Sequence, residues 1–162
     1  MNIKIFTVGG TIDKIYFDAK SKYEVGKPMI SELLDESNIC VNYSVEPLMA
    51  KDSLEMTDED RILLAKAIAK DKNTRILVTH GTDTMIKSAL EVKKQIDKTK
   101  TVVFTGSMSP AIFKDSDAVF NVGGALIAVQ TLSPGVYISM NGRIFDPEKS
   151  IKNVEMNRFE DK

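Results

Sequence analysis

Three β-branched, apolar runs constrain this chain more than any other feature: Ile3 to Val8, Ile76 to Thr79 and Thr101 to Phe104. Runs that stay apolar at consecutive positions belong to strands covered on both faces, and such strands are parallel and joined by crossover helices. Each run leads directly into small and hydroxylated residues: Gly9-Gly10-Thr11-Ile12, His80-Gly81-Thr82-Asp83-Thr84-Met85, and Thr105-Gly106-Ser107-Met108-Ser109-Pro110. Open α/β sheets bind ligands beyond the carboxyl ends of their strands. Three strand ends therefore point to one candidate site.

Helix and strand signals alternate along the rest of the chain. The spacing predicts a polar, irregular stretch from Asp13 to Lys27, a helix from Pro28 to Glu36 and a strand from Val41 to Met49. Thr57-Asp58-Glu59-Asp60 reads as a capping-box variant opening a helix, with Ile62, Leu63, Ala65 and Ala69 as its buried stripe. Further helices are expected over 83–96 and 116–130, with a strand from Val136 to Met140. Asn141-Gly142 between two apolar segments is a hairpin signal. Residues 151–162 read as an exposed helix or a frayed tail. This pattern predicts a single α/β domain, a doubly wound, mostly parallel sheet of the Rossmann or flavodoxin type with helices on both faces.

A formal net charge of -1, with 28% charged residues, gives no basic footprint for nucleic acid. Lys93, Lys94, Lys98 and Lys100 read as a solvated helix end, where cations suit the dipole. Cys40 is the only cysteine, which excludes an intrachain disulfide and fits a reducing compartment. The first residues enter a strand without an export-type leader, and no apolar run nears the roughly 20 residues that span a bilayer. A cytoplasmic protein without membrane or nucleic-acid partners is expected. His80 is the only histidine and reads as structural, which argues against a His-rich zinc site and a Ser-His-Asp triad.

Several residues at the strand ends carry two readings. Gly9-Gly10-Thr11 suits a tight turn, an anion-binding loop, or a catalytic hydroxyl brought close to a ligand by the glycines. The Gly-Lys-Ser/Thr and G-x-G-x-x-G spacings of phosphate loops are missing. Asp83 can cap a helix or hold an ammonium group. Ser53 can bond its local backbone or bind a carboxylate. Tyr23 is an ordinary loop tyrosine and Lys152 an ordinary solvated charge when each is read alone.

Taken in order, the segments Val8-Gly9-Gly10-Thr11-Ile12, Tyr23-Glu24-Val25-Gly26, Asp52-Ser53 through Met56-Thr57, Thr79 to Met85, Thr105 to Met108, Asp117 to Asn121 and Gly135 to Asn141 resemble the amino-terminal domain of the bacterial-type L-asparaginase family. The resemblance runs from Ile5 to about Lys152. It implies hydrolysis of the side-chain amide of L-asparagine to L-aspartate and ammonia through an acyl-threonine, with no metal or cofactor. It assigns Thr11 as the nucleophile, Tyr23 as a residue closing over it, and Thr82, Asp83 and Lys152 as a second hydroxyl-carboxylate-amine group. Ser53 would take the substrate α-carboxylate and Asp83 its α-ammonium. Gly10, Gly81, Thr82 and Ser107 complete the binding set, with backbone N–H groups facing the oxyanion. A hydroxyl is a weak nucleophile until a partner removes its proton. A lysine serves as that base only when neutral, and a charged lysine can act through Asp83 instead.

The resemblance also marks departures. Leu54 stands where the family has glutamine, Ser109 where it has arginine, and Asp13-Lys14-Ile15 where it has hinge glycines. The family's carboxyl-terminal domain has no counterpart in residues 1–162, so a weaker hold on the α-ammonium and a high KM are expected. The face such a domain would cover implies a homo-oligomer, dimer or tetramer. The competing readings are a non-catalytic amino-acid-binding module and a hydrolase of another small amide such as glutamine.

Overall fold

Along β1 (Asn2–Gly9), Ile3 and Ile5 enter one core while Phe6 and Val8 enter another on the opposite face. This two-residue alternation between two buried faces explains the unbroken apolar run. The computed structural model describes residues 1–17 and 21–162. After β1 the chain forms β2 (Lys14–Phe17), β3 (Lys22–Val25), α1 (Ile30–Glu36), β4 (Asn42–Lys51) and α2 (Asp58–Lys70). Then come β5 (Arg75–Thr79), α3 (Met85–Gln95), β6 (Thr101–Thr105), α4 (Ala118–Thr131), β7 (Gly135–Met140) and β8 (Arg143–Phe145). The described chain closes with β9 (Ser150–Asn153) and β10 (Arg158–Asp161).

The main sheet has the order β4-β1-β5-β6-β7-β8. All its pairings are parallel except β7 with β8. One core packs α2 and α3 on the sheet through Leu64, Ile68, Ala89 and Val92; the other packs α1 and α4 through Leu33, Leu34, Val122 and Val129. Helices on both faces make the doubly wound α/β domain that the alternation predicts. No helix among the described residues is long and apolar enough to cross a membrane.

Local signals and their outcomes differ in instructive ways. The capping box forms: Thr57 Oγ1 accepts from Asp60 N–H, and Asp60 returns an acceptor to Thr57 N–H. Asn141 and Gly142 take φ of 53° and 75°, the mirror-image turn that suits a hairpin. The stripe expected on α2 is corrected. Arg61, Leu64, Ala65 and Ile68 are buried, whereas Ile62, Leu63 and Ala69 are exposed. This helix is apolar on several sides, so periodicity alone leaves its rotation open.

The irregular stretch expected over 13–27 is instead an antiparallel pair, β2 with β3, pairing Lys14 with Val25 and Tyr16 with Tyr23. Residues 18–20 of that stretch lie outside the described residues. The expected tail is also ordered: β9 and β10 pair antiparallel. Phe159 is buried against Phe145, and its N–H donates to Asn141 Oδ1. Lys100 is no solvated helix end either. It is buried, and its amine donates to the carbonyls of Asp71 and Asn73.

Candidate active site

Backbone contact between strand ends forms the floor of the site. The β1–β4 register breaks between Thr7 and Gly9, and Gly10 N–H donates to the Lys51 carbonyl. Such an irregularity re-aims the chain next to a site. A Cβ on Gly10, where φ is 93°, would stand 2.3 Å from the Gly81 nitrogen. A Cβ on Gly81 would stand 2.7 Å from Ser53 Oγ. The turns after β1, β4 and β5 therefore meet at distances that only hydrogen in place of a side chain allows.

Onto this floor the fold brings residues that are far apart in sequence. Lys152, on β9, donates to Thr82 Oγ1 at 2.7 Å and to Asp83 Oδ1 at 2.6 Å. Thr82 is buried, and the Asp83 side chain keeps 42% exposure. Asp83 is not the cap of α3: Thr84 occupies that position, and its hydroxyl donates to the Ser53 carbonyl at 2.7 Å. Thr11 opens a 3-10 turn over Thr11–Asp13, its residue partly exposed beside Gly10. Ser53 opens a second such turn and is 2% exposed.

Tyr23 projects from β3, about half exposed, with its ring edge-on to Tyr16 at 5.5 Å and to Phe113 at 5.9 Å. A cavity of about 480 Å³ beside it is lined by Tyr23, Lys14, Asp52, Leu54 and Glu55. Ser107 differs from the other candidates. It is buried, and its hydroxyl is committed to the Ser109 carbonyl at 2.5 Å.

Burial and charge set the protonation of the surrounding groups. Burial pushes the His80 pKa down to about 4, against the pull of the Gly81 carbonyl and helped by the Arg61 charge. That carbonyl can only accept, so His80 Nδ1 carries the proton, and Nε2 accepts from Ser88. His80 is a neutral structural residue, as the sequence reading has it. Burial opposes ionisation of Asp52, but hydrogen bonds from Lys14 and Leu54 N–H, with the Lys14 and Lys152 charges, outweigh it. The Asp52 pKa is held below the usual carboxylate range.

Two supporting residues fall in a segment that the sequence reading matches but to which it gives no role. The Asp117 carboxylate accepts from Met108 N–H, Ser109 N–H and Asn121 Nδ2, and so fixes the loop after β6. Asn121 in turn donates to the Gly106 carbonyl and accepts from Asn141 N–H. An Asp-x-x-x-Asn spacing at a helix start, facing a glycine loop, is the signal that marks them.

Residues 2–160 match the family described as asparaginase, N-terminal. The chain is 33% identical over 152 residues to a probable periplasmic L-asparaginase of Haemophilus influenzae, covering 88% of this chain and 44% of that protein. It is 32% identical over 154 residues to L-asparaginase 2 of Escherichia coli, covering 90% and 44%. Among solved structures, the thermostable L-asparaginase from Thermococcus kodakarensis superposes with a TM-score of 0.86 at 25% identity, covering 99% of this chain and 51% of that one. A probable cytoplasmic L-asparaginase from Campylobacter jejuni superposes with a TM-score of 0.83 at 28% identity, covering 99% and 52%. The chain thus spans about half the length of the relatives it matches.

Proposed function

The chain belongs to the asparaginase family, by its amino-terminal domain, and on that premise we propose that it hydrolyses the side-chain amide of L-asparagine. In this reading Thr11 Oγ attacks the amide carbonyl carbon, and the C–O bond forms as the C–N bond breaks. The hydroxyl proton ends on the leaving nitrogen, which departs as ammonia. Water then cleaves the threonine ester, releasing L-aspartate and restoring Thr11. Backbone N–H groups of the glycine-rich loops, that of Thr82 among them, face the developing oxyanion, each such donor contributing about 2.7–4 kcal/mol in comparable sites. Ser53 takes the α-carboxylate and Asp83 the α-ammonium. Tyr23 covers the reacting atoms, and Ser107 shapes the loop behind them.

The observation that carries this reading is the Lys152 amine, 2.7 Å from Thr82 Oγ1 and 2.6 Å from Asp83 Oδ1. The fold draws this amine from a polar strand late in the chain to a hydroxyl and a carboxylate about seventy residues away. Leu54, 72% exposed and without a hydrogen-bonding group, supports a second reading in which another small amide is preferred. The enzyme acts in the cytoplasm as a homo-oligomer in this proposal. A groove of about 630 Å³ between α4 and β8, lined by Val119, Phe120, Ile127 and Ile144, offers an apolar face for a second copy.

Ammonia release from L-asparagine, L-glutamine and other small amides, by the wild type and by Thr11→Ala, tests the proposal. Release by the wild type and a loss of about a thousandfold or more in the variant are expected. Equal release by both would remove Thr11 as nucleophile, and no release from any amide by the wild type would favour a binding module.

A further inference from the structure

Asp13 is an anomaly in this fold. It is 1% exposed, directly follows the buried Ile12, and among the described residues its Oδ2 has no hydrogen-bond partner. Burial raises its pKa to about 6, against the effect of a hydrogen bond from Met29 N–H. A carboxyl group in such a place destabilises the fold by its own desolvation, so its value must lie in what it holds.

What it holds is specific. Asp13 N–H donates to the Gly10 carbonyl at 3.1 Å and closes the turn on which Thr11 sits. The Asp13 carbonyl accepts from Gly26 N–H at 2.7 Å, and its Oδ1 accepts from Met29 N–H at 2.9 Å. The strand pair that carries Tyr23 therefore leaves from Asp13 and is tied back to Asp13. Two further links act in the same direction. Lys14 Nζ lies 2.7 Å from Asp52 Oδ2, joining β2 to the turn that begins at Ser53. Ala111 N–H donates to the Ile12 carbonyl at 3.1 Å, tying the loop of Phe113, on which the Tyr23 ring rests, to the Thr11 turn.

We propose that Asp13 is a positioning residue that fixes Tyr23 relative to Thr11, through its side-chain acceptor for Met29 N–H. The inference rests on the reading of Thr11 as the attacking group for its kinetic consequence, but not for its structural one. Asp13 touches no reacting atom. Its effect belongs in kcat, because a misplaced Tyr23 alters the reacting geometry more than ground-state binding.

The test separates the two levels. The chain has no tryptophan, so Tyr23→Trp supplies a single reporter against Tyr16 and Phe113. In that background Asp13→Ala is expected to raise acrylamide quenching of the reporter by about twofold or more, while Asp13→Asn, which keeps an acceptor for Met29 N–H, stays near the parent. In the background with Tyr23 intact, Asp13→Ala is expected to lower kcat by about tenfold or more with KM little changed, and Asp13→Asn to recover most of it. Unchanged quenching in Asp13→Ala, or an Asn variant as impaired as the Ala variant, would overturn the proposal. If the wild type releases no ammonia, the functional reading fails, and the quenching comparison still decides the role of Asp13.

Discussion

Gly10 and Gly81 meet backbone to backbone, with a Cβ on Gly10 falling 2.3 Å from the Gly81 nitrogen. Neither neighbour is the flexible end of a side chain, so nothing there can yield without moving a strand end. Gly10→Ala is expected to destabilise the fold by about 1–3 kcal/mol and to abolish activity, read by urea midpoint and ammonia release. Gly123, inside α4, is the internal comparison: a Cβ there meets nothing within 4 Å. Gly123→Ala should raise stability by about 0.5–1 kcal/mol.

Removing the Lys152 amine separates chemistry from folding. Its carboxylate partner Asp83 keeps a side-chain exposure of 42%, so the ion pair contributes at most about 1 kcal/mol to stability. Lys152→Gln is expected to lower kcat by about 10²–10⁴-fold and leave the urea midpoint almost unmoved. A stability loss matching the activity loss would make Lys152 structural.

Asp13 and His80 oppose each other as pH changes. The folded pKa of Asp13, about 6 against an ordinary 3.8, means that the folded state holds this proton more tightly. Its stabilising contribution is complete below about pH 3.8 and disappears as pH rises through about 6. His80, at about 4 against 6.5, does the reverse, and stability from keeping it neutral is lost as pH falls from 6.5 through about 4. Each effect is about 3 kcal/mol, so the two nearly cancel over the shared window. Wild-type stability should change little between about pH 4.5 and 6.5, whereas Asp13→Asn should lose about 2–3 kcal/mol on acidification over that range. Urea titrations at both pH values check this.

Asp117 gathers two backbone N–H groups and one side-chain amide at the loop after β6. Asp117→Ala leaves these donors without their acceptor. It should destabilise the protein by about 2–3 kcal/mol and reduce turnover through the disordered loop. Hydrogen exchange at the Met108 and Ser109 amides gives the local readout.

The sheet was legible because a strand buried on both faces has to be apolar at every position, and Ile3–Val8, Ile76–Thr79 and Thr101–Phe104 are close to that limit. The caps and the Asn141-Gly142 turn were legible because their chemistry is local. What escaped depends on contacts distant in sequence. Nothing near Phe159 says that it will find Phe145 and Asn141 and so order the last strands. Lys100 looks like any surface lysine until the Asp71 and Asn73 carbonyls arrive beside it. On α2, seven of the residues from Ile62 to Ala69 are apolar, so only the shape of the sheet selects Leu64 and Ile68 to face inward. Resemblance singled out Lys152, which composition and spacing alone leave among the surface charges.

The last two strands carry a consequence for how the molecule is made. Lys152 pairs across the ladder with Phe159, and Phe159 is what seats that ladder on the body of the protein. A chain emerging from the ribosome completes β1, β4, β5, β6 and β7 before either residue exists. Thr82 and Asp83 are thus synthesised well before their amine. On the reading proposed above, the amine reaches Thr82 and Asp83 only when this hairpin docks, so the order of the strands sets the order in which the candidate site is put together.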